Sequence, residues 1–352
     1  MKKPSLKPSV NLMLDSGAFS AWRSGRVIDI GAYADFLLTC REKLFCYVNL
    51  DVLPGKFREG KPSAALVEET AAKSWKNYQY LRKRGLEPML VFHRGERFYW
   101  LEKMIGEGVQ YVGLGGVAMG AGFKERRRWL DQTFTFLCGD CGWPPVKLHG
   151  FGIASLQLMF RYPWYTVDST TWRTPSLYGK VLVPRPGPDA VLGDHAYEHA
   201  IQVIVNSSAR VSEFGSCHGL YNKMGKQTAE YVVNYFNSLG VDFLVERESN
   251  LGRRRMLVRY FKAAMKQHKS KPFVGSDDGG FFGGVNKVAL ATTTEFIPKR
   301  TRFFFGIGPL KEDCELFLEE GVCDRLTAYP MVQRVSRKCL FGFIDTGIVE
   351  EA

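Results

Sequence analysis

Six short apolar runs in the first half of the chain each stop at an aspartate, a glycine or a histidine. They are "NLML" before Asp15, "FCYVNL" before Asp51, "PMLVF" before His93, "YVGL" before Gly115 and Gly116, "VKLH" before Gly150 and "WYTV" before Asp168. Runs this short, rich in β-branched and aromatic residues and closed by a polar or glycine residue, read as buried strands. The segments between them have helical character. "AALVEETAAKSWKNYQYLRKRG" holds helix formers throughout and stops at Gly85, a fitting C-cap. Strand and helix alternate, so the sheet is expected to be largely parallel.

The strand-end residues are spaced between 18 and 42 positions apart, which suits βα units. Six units by residue 168 make up more than half of a (β/α)8 barrel of the TIM type. "IQVIVNS", "VDFLVE" and "RFFFGIG" are candidates for later strands, the last followed by the helical "KEDCELFLEEGV". The rival is a doubly wound open sheet, but no G-x-G-x-x-G turn follows the first strand. In a barrel the polar residues at the C-terminal strand ends converge on one mouth. Three regions are expected: residues 1–180 as the first part of the barrel with the catalytic motifs, 181–300 as a basic, partly irregular insertion with remaining barrel elements, and 301–352 as a closing βα unit and C-terminal segment. "VPRPGPDAVLGD" and "FVGSDDGGFFGGVNKV" mark loops in the middle region.

Of the 352 residues, 48 are Lys or Arg and 36 are Asp or Glu, a formal charge of +12. That excess favours a polyanionic partner, nucleic acid first. Eight scattered cysteines do not form the dense framework of a small secreted domain. "MKKPSLKPSV" leads into no apolar signal segment, and no apolar run reaches the length of a membrane span, so a cytoplasmic protein is expected.

Asp15 and Asp168 stand out because both follow a strand directly and precede Ser. A carboxylate so placed can serve as nucleophile, general acid or general base. Asp-Ser is also ordinary turn or helix-cap chemistry. The segment 251–272 holds eight Lys or Arg and no Asp or Glu. Most of it reads as one helix with an apolar stripe of Met256, Leu257, Phe261 and Met265. Arg253, Arg254, Arg255, Arg259, Lys262 and Lys266 are candidates for phosphate contacts, a solvated helix face being the alternative. Arg173 and Lys180 follow Asp168 beside Trp172 and Tyr178, which suit either base stacking or buried packing. Cys138-x-x-Cys141, His195-x-x-x-His199 and Cys217-His218 supply metal-ligand residue types, but their spacings match no zinc pattern. His195, His199, Cys217 and His218 are therefore weak candidates, and no metal is expected.

Four segments together resemble the tRNA-guanine transglycosylases, (β/α)8 barrels that exchange guanine for a 7-deazaguanine base. "LDSGAFS" at 14–20 is similar to that family's Asp-Ser-Gly-Gly-Phe-Gln motif, and "YVGLGGVAMG" at 111–120 to its Gly-Gly-Leu-Ala-x-Gly loop. "HGFGIAS" at 149–155 resembles its Gly-Val-Gly-Thr segment, and "VDSTTWRT" falls at its nucleophile motif. Order and spacing agree across residues 10–180. The resemblance implies that Asp168 is the nucleophile and Asp15 the general acid/base. It also implies a base-binding pocket of Asp51, Ser16, Gly17, His93, Gly115, Gly116, Phe151 and Gly152. His93 stands where the family commonly has Gln, so a satisfied core histidine is the alternative there. The family's Cys-x-Cys-x-x-Cys zinc motif is missing. The more compact DNA-guanine transglycosylases of DNA-modification clusters and phage genomes are a better match, with similar "YVNLDVLPG" and "VDSTTW" segments.

The resemblance thus implies a pentosyltransferase that inserts a 7-deazaguanine (preQ0-like) base into DNA, in a host cytoplasm if phage-encoded. It needs no cofactor beyond that co-substrate base, and an accessory protein for duplex opening is a further expected partner. A tRNA-guanine transglycosylase and a non-catalytic DNA-binding accessory on the same barrel are the alternatives. A barrel hydrolase or lyase acting on a small phosphorylated substrate is a third.

Overall fold

The protein is described by a computed structural model over residues 12–117, 122–186, 192, 196–205, 226–275, 300–307, 316, 319, 320 and 342–345. All six apolar runs contain strands: β1 (Leu12–Leu14), β2 (Cys46–Tyr47), β3 (Leu90–His93), β4 (Tyr111–Gly115), β5 (Lys147–Gly150) and β6 (Thr166–Ser169). Helices separate them: α1 (Ala18–Arg23) and α2 (Ile30–Cys40), then α3 (Ala64–Lys83), α4 (Phe98–Gly106), α5 (Phe123–Cys138) and α6 (Leu156–Arg161). The ends of α3 follow from local chemistry. Ser63 caps its start by accepting from the Leu66 N–H at 3.2 Å, and Gly85 closes it with φ of 73°.

The architecture is mixed α/β. Strands β3, β4, β5, β6 and β9 (Arg302–Ile307) lie side by side and parallel. On the far side of β9 comes β10 (Gly342–Asp345), antiparallel to both β9 and β1, and β1 pairs in parallel with β2. The reversed β10 departs from the all-parallel order expected from the sequence. Hydrogen bonding also runs from the end of β2 to the start of β3. Asn49 N–H donates to the Met89 carbonyl at 2.8 Å and Met89 N–H donates to Tyr47 at 2.8 Å.

"RFFFGIG" forms β9 as expected, and Phe303, Phe304 and Phe305 are all fully buried. A strand covered on both faces needs such a continuous apolar run. Phe303 and Phe305 pack on one side, Phe303 stacking on Phe261 at 4.6 Å. Phe304 points to the other and clusters with Met13, Val48, Met89 and Val91. Burying one such phenyl ring contributes about 1.5–3 kcal/mol.

Two later strand expectations fail. "IQVIVNS" does contain β8 (Ile201–Ile204), but it pairs antiparallel with β7 (Lys180–Val183) in a separate two-stranded sheet. "VDFLVE" is helical, α9 (Phe243–Glu246), because Asp242 caps the turn by accepting from the Val245 N–H at 3.3 Å. Between β8 and β9 also lie α8 (Lys226–Ser238) and α10 (Asn250–Gln267). The expected helix in "KEDCELFLEEGV" and most of the two glycine-rich loops lie outside the described residues. Among the described residues, no helix is long and apolar enough to cross a membrane.

Candidate active site

The C-terminal ends of β1 to β6 surround one cavity of about 390 Å³. Each strand contributes a residue singled out in the sequence: Asp15 and Ser16 after β1, Asp51 after β2, His93 from β3, Gly115 and Gly116 from β4, Phe151 and Gly152 after β5, and Asp168 from β6. Of the expected base-binding set only Gly17 is not part of the lining. Val48, Val91 and Phe19 add apolar wall, and Arg23 and Arg173 bring positive charge. This volume and mixture suit a small, flat, polar ligand.

Asp168 is 3% exposed. Its Oδ1 accepts from the Gly152 backbone N–H at 3.1 Å and meets His149 Nε2 at 2.9 Å. An ionised carboxylate has no donor, so in that state of Asp168 the Nε2 carries the hydrogen. The neutral ring then presents Nδ1 as an acceptor, and Thr166 Oγ1 lies 2.6 Å from it. The Thr166 hydroxyl oxygen in turn meets the Tyr111 hydroxyl in a short contact. Donation therefore runs one way, from Tyr111 through Thr166 and His149 to Asp168. No protein donor reaches Oδ2 among the described residues.

Strand register builds this chain. His149 pairs with Thr166, and Asp168 lies two residues beyond Thr166 on the same face of β6. On β4, Gly113 pairs with His149, and Tyr111 lies two residues before Gly113. Glycine at 113 leaves the space that Phe151 fills, since a Cβ there would collide with the Phe151 ring. At Gly115 a Cβ would lie 2.6 Å from His93 Nδ1. The close approach that these glycines permit is to the protein's own rings.

Asp15 has different surroundings. It is partly exposed at the cavity wall. Burial, then the nearby charges of Asp168 and Asp51, push its pKa up to about 7, against the pull of the Ser16 and Gly17 backbone N–H groups. Asp51 Oδ2 lies 3.1 Å from His93 Nε2, and its Oδ1 accepts from Asn49 at 3.3 Å. Burial works against a charged His93 ring, but the hydrogen bond and charge of Asp51, with Glu96 and Asp15, outweigh it and raise its pKa. Glu96, which accepts from the His93 backbone N–H, is itself pushed up to about 7, mainly by burial. His93 is thus both a cavity residue and a satisfied partner of Asp51.

The basic candidates of α10 are turned inward. Arg253 and Arg254 are 5% and 7% exposed. Arg253 donates to the carbonyls of Ser176, Arg247 and Glu248. Arg255 pairs with Glu246, Glu319 and Glu320, and Arg259 with Glu320 and the Leu239 carbonyl. Lys262 donates to the Glu320 carbonyl at 2.8 Å. The stripe of Met256, Leu257, Phe261 and Met265 is buried as expected. Of this set Lys266 is exposed. Arg173 reaches the cavity, whereas Lys180 lies in the β7–β8 hairpin. Trp172 is buried edge-on against Phe305, while Tyr178 is 57% exposed.

No group of three or more His, Cys, Asp or Glu side chains that could hold a metal occurs among the described residues. Cys141 Sγ donates to the Cys138 carbonyl at 3.1 Å, a turn contact. The His199 carbonyl accepts from Arg185, and His195, Cys217 and His218 lie outside the described residues. The sequence pointed to both aspartates but not to His149, Thr166 and Tyr111. The one signal was a histidine inside the apolar run "VKLHG", where a buried polar ring needs partners. In comparisons with known proteins, the chain matches no family model and no curated protein sequence.

Proposed function

We propose that the protein is a guanine transglycosylase that replaces guanine in DNA with a 7-deazaguanine base through a covalent Asp168–sugar intermediate. The observation that carries this reading is the pairing of two carboxylates with opposed surroundings in one cavity. Asp168 receives two donors on one oxygen, whereas Asp15 is held near neutrality. Unlike environments of this kind divide nucleophile from acid. The motif resemblance supplies the substrate class.

The parallel run, the β2–β3 hydrogen bonds and the convergence of Met13, Val48, Met89, Val91 and Phe304 support a further step: the eight strands close into a TIM-like barrel, with β10 reversed. The cavity then sits at the C-terminal mouth, where such barrels carry their chemistry.

In the proposed mechanism the target guanosine leaves the base stack and enters the cavity. The Asp168 carboxylate attacks C1′ as the bond to guanine N9 breaks, and Asp15 gives its proton to the leaving base. The incoming 7-deazaguanine loses its N9 proton to Asp15 and attacks C1′. The ester breaks and Asp168 is restored as a carboxylate. Two displacements at C1′ give net retention, as in retaining glycosidases. His149 and Gly152 hold Asp168 in place, and Asp51 with His93 offers acceptors and a donor to the purine edge.

Incubating the protein with duplex DNA, single-stranded DNA and tRNA plus a labelled 7-deazaguanine tests the reading. Label in DNA supports it. Label in tRNA alone would replace DNA as the substrate, and label in none of the three would overturn the assignment.

A further inference from the structure

Beside the cavity mouth, α1 and the loop over 52–62 form a surface unlike any on α10. Trp22 Nε1 donates to the Gly55 carbonyl at 2.6 Å and its ring meets Phe57 edge-on at 5.4 Å, which ties the loop to the helix. The guanidinium carbons of Arg23 and Arg58 lie 5.5 and 5.2 Å from the centre of the Phe57 ring. Both arginines are exposed, and neither has a carboxylate partner among the described residues. Arg23 also lines the cavity. Arg58 has φ of 70°, and it is the one non-glycine residue with positive φ among those described. A left-handed backbone at a long side chain is uncommon, and such strain gathers at binding sites.

Arg26, Lys56 and Lys61 are exposed on the same two segments. Lys56 is paired with Glu59, but that pair is well exposed and weak. The surface is therefore cationic, aromatic and continuous with the cavity. Aromatic rings that hold guanidinium groups orient them at little entropic cost, and Arg matches the fork geometry of a phosphate.

We infer that the Arg23–Phe57–Arg58 surface binds the sugar–phosphate strand next to the nucleotide held in the cavity, Arg23 and Arg58 each contacting a phosphate. The inference rests on the proposed nucleic-acid substrate but not on base exchange. Its occupant is a flexible single strand or the strand flanking an extruded base, because the cavity accepts one base and its neighbours must cross this rim.

The test is fluorescence anisotropy with a labelled single-stranded DNA oligonucleotide across a salt series, without any 7-deazaguanine. Arg23→Ala/Arg58→Ala should weaken binding about tenfold or more and lower the salt slope by about two, one per lost phosphate contact. Arg23→Lys/Arg58→Lys should keep the slope. Lys76→Ala/Lys83→Ala removes the same charge from exposed positions on α3 and should bind like the native protein. An alanine variant that matches this control overturns the inference, as does native protein without salt-dependent binding. Thermal melts of each variant separate lost contacts from lost folding. Binding with these effects but no base exchange would leave the surface assigned and overturn the transglycosylase reading. The same effects with RNA alone would support the surface and move the substrate from DNA to RNA.

Discussion

Asp168 and Asp15 end neighbouring walls of one cavity, yet their surroundings differ in kind. Asp168 is buried and held by two donors aimed at a single oxygen, with a polar chain behind it that reaches Tyr111. Asp15 has only backbone N–H groups nearby, and burial together with two other aspartates presses it towards the neutral form. A carboxylate fixed by donors is shaped to attack. One whose charge is opposed by its neighbours is suited to carry a proton. The sequence motif is the same Asp-Ser step at both places, so the division of labour comes from the tertiary surroundings.

The comparison breaks most sharply at Asp168. Asp168→Asn keeps the shape but removes the nucleophile, and guanine exchange should fall by about 10⁴-fold or more. A radiolabelled guanine exchange assay reads this, and robust exchange by the variant would put the nucleophile elsewhere.

Asp15→Asn should cost about 10²- to 10⁴-fold, the usual range for a general acid/base. Native activity should decline above about pH 7, where Asp15 loses its proton, and the variant should lack that limb. Stability carries the same sign. The folded state raises the Asp15 pKa from 3.8 to about 7, so it binds the proton more tightly than the unfolded chain does. The stabilisation is complete below about pH 4 and is lost as pH rises through 7. Melting temperatures at pH 5 and pH 8 should therefore differ more for the native protein than for Asp15→Asn. Equal differences would remove the Asp15 half of the comparison.

His149 tests whether the chain behind Asp168 positions it. His149→Phe preserves a ring in the core but removes the contact to Oδ1, and activity should fall by up to about 10²-fold through misplacement of the nucleophile. The loss should sit in kcat with KM nearly unchanged, because the ring does not line the cavity. A rise in KM alone would make His149 a binding residue instead.

The smallest effect on function is expected at α10. Arg253→Met removes the donor to three backbone carbonyls and should lower stability by about 1–3 kcal/mol while oligonucleotide binding stays unchanged. Denaturant unfolding and anisotropy on the same sample measure both. Weakened binding without lost stability would return α10 to the nucleic-acid surface.

Much of the cavity was legible in the chain because its residues sit at strand ends, where an apolar run meets Asp, His or Gly. Asp15, Asp51, His93, Gly115 and Asp168 were all found in this way. His149 escaped because it lies inside a run, and its partners Thr166 and Tyr111 are set by register between strands far apart in sequence. The arginines of α10 misled for the same reason: Glu246, Glu319 and Glu320 fold back onto a segment that itself holds no acid. The reversed β10 and the β7–β8 hairpin depend on long-range pairing that periodicity does not encode. At the rim, Arg23 and Arg58 lie thirty-five positions apart, and only the fold brings both onto Phe57.

The most direct measurement is intact-protein mass after incubation with a guanine-containing DNA oligonucleotide, quenched by acid before the second displacement. The account predicts a protein–DNA adduct that has lost one guanine, maps to Asp168 on digestion and is absent in Asp168→Asn. Label incorporated into DNA with no adduct in the native protein, or an adduct that persists in Asp168→Asn, would contradict it.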